Sequence, residues 1–229
     1  MKPLAQECEK SPDKMRKLLI LMSIISIIMS LFGCSRRAKE NNEGLSDKTK
    51  EQLDESIEAF KNRPIHRELT EQIIDTTPDD NLVQSIFDNL SEKLPTDYKK
   101  EYETVMSWNK SRQAIYMIWL LEAEVNNGGY NQFYFNSSGQ FYKHLPEALR
   151  LVGAPKFADL TQRANDLFER ENERITKYQD GTIEGFSKSY KNNPLNALDS
   201  GFYKLYQSEN LQQIQIEYIR KNKKNFIDK

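Results

Sequence analysis

Residues 111–141 read SRQAIYMIWLLEAEVNNGGYNQFYFNSSGQF. In the first half, Ala114, Ile115, Ile118, Trp119, Leu121 and Val125 take up most of the circumference of a helix. A helix that is apolar all round belongs inside a core, so the pattern predicts a central buried helix, with Ser111 as its cap. Asn127-Gly128-Gly129 then interrupts it, because glycine adopts the left-handed backbone that ends a helix. Tyr130, Phe133 and Tyr134 recur at helical spacing and predict a further helical stretch packed on the same core.

The flanking sequence reads the same way. Asp79 or Asp80 can cap a helix with Leu82, Val83, Ile86, Phe87 and Leu90 on one side. After Pro95 a second helical pattern carries Tyr98, Tyr102, Val105 and Met106. Pro146 suits the first turn of a helix, Gly153 suits a helix end, and His144 reads as a loop or cap residue. Residues 178–200 form a connection broken by Gly181, Gly185 and Pro194. Sustained period-two alternation and repeats of 20–50 residues are both missing. The expected class is all-α: a compact multi-helix domain with a central buried helix and a Gly-Gly interrupted turn.

Composition narrows the chemistry. The 229 residues carry a formal charge of −1, which gives no strong attraction to nucleic acid. Cys8 and Cys34 both lie near the start, so the body has no disulfide or thiolate metal site, and only His66 and His144 supply imidazole. No metal and no cofactor are implied.

The amino end reads as an address. From Met15 to Cys34, MRKLLILMSIISIIMSLFGC has two cations, then a mostly apolar run, then a small residue before the cysteine. Leu31-Phe32-Gly33-Cys34 resembles a bacterial lipobox. That resemblance implies acylation of Cys34, cleavage before it, and anchoring by several chains. Translation is expected to start at Met15. Ser35 after the cysteine implies sorting to the periplasmic face of an outer membrane. The expected organisation is therefore a signal peptide over 1–33, a flexible tether over 34–50, a short helical linker over 51–78 and the domain over 79–226.

The glycine stretch admits two readings. In one, Asn126, Asn127, Gln132 and Asn136 bond the backbone groups freed by the interruption, and Glu124 is buried among amides. In the other, Glu124, Asn127, Gln132 and Asn136 line a pocket beside aromatic walls. The sequence has no phosphate loop, no Gly-x-Ser-x-Gly elbow and no His-Glu-x-x-His. Glu122 and Glu124, two apart, point in different directions and make no acid/base pair.

Leu120, Glu124, Asn127, Gly128, Gly129, Gln132, Phe133 and Asn136, with Gly153-Ala154 and Leu198-Asp199…Phe202-Tyr203, resemble a bacterial domain family whose best-known relative is a DNA-mimic protein. The resemblance spans about Asp79 to Phe226 and implies a compact helical fold with no established catalytic residues. Mimicry requires carboxylates arrayed like phosphates. Here 20 acids face 19 bases over 79–226, interleaved as in FERENER, a solvated helix face. The expected function is a membrane-tethered, non-catalytic protein-binding module with an immunity-like or inhibitor role. Its partner would be an envelope protein, and no nucleic acid is expected. The alternative is a small-molecule binder or hydrolase using the cluster around Glu124. A simple envelope spacer is a third reading.

Overall fold

The computed structural model describes residues 47–180 and 182–228. The leader, Cys34 and most of the 34–50 segment lie outside the described residues. The chain divides into a unit ending at Asn62 and a compact unit from Arg63 onward. In the first, helix α1 (Asp47–Lys61) is amphipathic, with a Lys61–Glu58 pair at 2.9 Å.

The compact unit is all-α, with no strand among its described residues. Its first helices are α2 (Glu71–Thr76), α3 (Asp79–Glu92) and α4 (Glu101–Ser107), followed by the long α5 (Lys110–Phe135). After α5 come α6 (Leu145–Val152), α7 (Pro155–Arg170), α8 (Asn172–Thr176), α9 (Ile183–Ser189), α10 (Asn196–Ser208) and α11 (Leu211–Lys221). Helix α5 is the hub: α3, α4, α6 and α10 all pack on it. The six apolar positions read from the sequence are buried on it, as are the five apolar positions of α3. Phe87 of α3 stacks on Trp119, and the indole N–H donates to Gln84 at 3.2 Å.

Several local expectations are corrected. The N-cap of α3 is Pro78, whose side chain has no acceptor to offer, and Asp79 lies in the first turn and bonds Arg220 at 2.6 Å. The cap of α5 is Asn109, whose side chain accepts from Arg112 N–H; Ser111 faces inward and pairs with the Tyr218 hydroxyl. Tyr98 lies in a 3-10 turn and is exposed, while Val105 is sealed. Gly153, at φ 99°, does end α6 in a left-handed turn, and Pro146 sits in that helix's first turn.

A clasp closes the far end of the chain onto α3 and α5. The Asp228 carboxylate accepts from Leu69 N–H at 2.9 Å, Lys93 at 3.0 Å, Arg112 at 2.8 Å and Asn89 at 3.2 Å. Asp228 N–H donates back to the Leu69 carbonyl at 2.8 Å. Arg112 also binds the carbonyls of Asn225, Phe226 and Ile227. Asp88, buried on α3, is gripped by Arg63 through two bonds of 2.6 and 2.7 Å. Among the described residues no helix is long and apolar enough to cross a membrane.

Candidate functional site

The interruption in α5 sits at Gly128 (φ −153°, ψ 27°) and Gly129 (φ 71°, ψ −177°). The Gly129 conformation is almost closed to any residue with a Cβ. A Cβ there would also meet the Asp199 carboxylate at 2.3 Å. The break splits α5 into two helices, exposing carbonyls on one side and an amide on the other.

Those freed groups find partners from distant parts of the chain. The Tyr203 hydroxyl donates to the Val125 carbonyl and the Tyr190 hydroxyl to the Gly128 carbonyl, both at 2.7 Å. Asp199 Oδ1 accepts from Tyr130 N–H at 2.8 Å and so caps the second half-helix in trans. The expectation that the local amides would bond this backbone is corrected for Gln132 and Asn136, whose side-chain N–H groups go to Glu124. Tyrosines and an aspartate from α10 and its approach do so, because they can reach across the break.

The amides turn to Glu124 instead. Its Oε2 accepts from Gln132 at 2.7 Å and Asn136 at 2.8 Å, and its Oε1 from Ser138 at 2.6 Å. Asn127 donates to Gln132 Oε1 at 3.0 Å, so it braces the network one step out. Glu124 is 7% exposed, and Gln132 is 5% exposed. Burial pushes the Glu124 carboxyl above its usual range, and the three donors oppose that shift without reversing it. Every donor is neutral, so the site accommodates a carboxylate with no counter-cation.

Phe133 is also sealed, but it belongs to an aromatic cluster with Tyr134 and not to the polar network. Glu122 points away from Glu124, toward Tyr206 and Gln215. Sequence reasoning missed Ser138, Tyr190 and Asp199 as partners of the kink. The Leu198–Tyr203 segment had been singled out without a role; Asp199 and Tyr203 now have one.

His144 is held by the Tyr102 hydroxyl at 2.9 Å, and burial and nearby Lys110 lower its pKa. It borders a shallow depression with Lys110, Met117, Glu147 and Leu151 that includes none of the Glu124 cluster. Among the described residues no three His, Cys, Asp or Glu side chains are grouped so as to hold a metal.

Fold and site together define an all-helical domain built around a broken central helix whose break is sealed from the far side. The chain belongs to the family described as DMP19-like protein, whose model matches residues 106–222, from the end of α4 through α11. The matched span contains the kink and every partner of the kink and of Glu124 named above. No curated protein and no solved structure matches the chain.

Proposed function

We propose that the chain is a lipid-tethered envelope protein whose helical domain binds another protein and catalyses nothing. Residues 1–33 are the secretory leader, Cys34 carries the acyl chains and the polar run after it is a flexible tether; of the expected 51–78 linker only the part in α1 remains, because the compact unit begins at Arg63 and includes α2. The anchor holds the domain at the periplasmic face of the outer membrane. The lipobox-like Leu31-Phe32-Gly33-Cys34 and the polar run after it support this organisation.

The observation that carries the non-catalytic reading is the closure of Glu124. Both of its oxygens are engaged within the fold and the side chain is buried, which leaves it poorly placed to meet a substrate. Membership of the DMP19-like family, which is not a known enzyme family, supports a protein-binding module. Interleaved charge argues against nucleic-acid mimicry. Asp75, Asp79, Asp159 and Glu184 each sit 2.6 to 2.7 Å from a lysine or arginine, so these acids are neutralised in pairs. The partner is therefore one recognised by shape and mixed polarity, and an inhibitor or immunity-like role fits that surface.

The anchor is tested by labelling cells with palmitate. Label on the wild-type protein and none on Cys34→Ser supports it, and an unlabelled wild type overturns it. The module is tested by cross-linking and recovery from solubilised envelopes, where a stoichiometric protein partner is expected. A bound metabolite lost on Glu124→Ala, with unchanged stability, would instead support the small-molecule reading.

A further inference from the structure

One carboxylate at the kink is only half used. Glu124, Glu122, Asp88 and Asp228 each have both oxygens engaged in hydrogen bonds. Asp199 commits Oδ1 to the Tyr130 N–H at 2.8 Å, while its Oδ2 has no hydrogen-bond partner and no ion pair. That idle oxygen lies against Gly129, where a Cβ would come within 2.3 Å of it. Asp199 is half-buried, so Oδ2 is partly stripped of water without being sealed in the core.

Two tyrosines flank it. Tyr203 is one turn further along α10, on the same face, and is 44% exposed; Tyr190, half-buried, approaches from the end of α9. Their hydroxyls donate to the Val125 and Gly128 carbonyls, so neither has a proton left to offer. Burial raises both hydroxyls, Tyr190 to about 12, and the Asp199 charge adds to it, so the three groups lie within electrostatic reach of one another. Among the described residues no cation answers Asp199. Burial and the Tyr130 N–H are what act on it, Lys188 of α9 is paired with Glu184 at 2.7 Å, and Lys191 and Lys204 are exposed.

We propose that Asp199, Tyr190 and Tyr203 form a seat for an arginine side chain of the partner protein. This contact rests on the protein-binding reading above and gives that partner a chemical signature. A half-buried carboxylate oxygen without a donor calls for charged N–H groups, and the phenol rings beside it favour a flat, weakly hydrated cation. A guanidinium supplies five N–H donors and stacks on aromatic faces, whereas a lysine ammonium is compact and strongly hydrated. The seat is also rigid. Asp199 is fixed by capping the second half of α5, and both tyrosines are fixed by the carbonyls of the break, so little ordering is needed when a ligand arrives.

The seat is tested by titrating the full chain with N-acetyl-arginine amide and following the Gly129 and Tyr130 amides and the Tyr190 and Tyr203 rings by NMR. A saturating shift is expected in wild type. N-acetyl-citrulline amide, of the same length but uncharged, should bind roughly tenfold more weakly. Asp199→Asn keeps an oxygen for the Tyr130 N–H and should weaken binding of the arginine compound by a similar factor. No saturating shift, equal binding of citrulline, or unchanged affinity in Asp199→Asn overturns the seat. Should Asp199→Asn fail to fold, the comparison of the two compounds on wild type decides. Cross-linking in envelopes separates this contact from the reading beneath it. A partner recovered equally by wild type and Asp199→Asn overturns the seat and leaves the protein-binding reading standing. No partner on wild type, with the arginine compound still binding, overturns that reading and supports the seat alone.

Discussion

Two enclosed carboxylates close this domain, and they are held in opposite ways. Glu124 sits beside the α5 break among three neutral donors, and burial keeps its pKa raised. Asp228 sits at the far clasp. Burial raises it too, but Leu69 N–H, Lys93, Arg112 and Asn89 outweigh that and hold it at about 2. Burial alone therefore does not set the ionisation of a carboxyl group; its depth and the number of donors that reach it, backbone N–H and cation alike, decide together.

The pH consequences have opposite sign. Asp228, with a folded pKa below the unfolded value, contributes stability above about pH 4 and loses it as pH falls through 2. Glu124, with a raised folded pKa, contributes at low pH and loses that contribution as pH rises through its folded value. Acid should thus open the clasp before the kink, and alkali should strain the kink before the clasp.

The largest expected effect comes from removing the backbone freedom at the kink. Gly129→Ala places a Cβ in a glycine-only conformation and against Asp199, so urea unfolding should show a loss of about 4 kcal/mol. A loss below about 1 kcal/mol would mean that the break relaxes and is not fixed by its trans cap. Glu124→Ala comes next, at about 3 kcal/mol, because Gln132, Asn136 and Ser138 lose their acceptor together. That loss should barely change on raising salt to about 1 M, since no ion pair is involved.

Asp228→Asn sharpens the contrast. The titration of this group is worth roughly 2 kcal/mol at neutral pH. The difference from wild type should shrink in high salt and vanish below about pH 2. If instead the Glu124 variant proved salt-sensitive and the Asp228 variant did not, the distinction between the two closures would collapse. The smallest effect is expected at Gly153, where an added Cβ meets nothing within 4 Å. Gly153→Ala should cost about 1 kcal/mol from left-handed strain alone, against the larger loss at Gly129, by the same unfolding measurement.

Much of the fold was legible because burial leaves a periodic imprint. The apolar circumference of α5 and the one-sided stripe of α3 both follow from helical spacing, and both are buried as read. Gly153 was readable because a left-handed helix end favours glycine whatever surrounds it. The caps were less readable. Asp79 has the right chemistry for a cap, but it lies in the first turn and bonds Arg220, 141 residues away in sequence. Tyr98 fits an apolar stripe, yet the chain turns there and leaves it exposed.

The candidate site divides along the same line. Glu124, Gln132 and Asn136 could be grouped from sequence because one helix and its continuation bring them together. Tyr190, Asp199 and Tyr203 could not, because no local pattern announces which distant hydroxyl will meet a freed carbonyl. Sequence by itself determined the helical class, the central helix and the place where that helix must break, since each depends on residues within a few turns. Only the tertiary structure decided that the break is a sealed joint and which carboxylates keep their charge. Solvent exclusion and the sign of neighbouring groups are set by segments that meet only when the chain is folded.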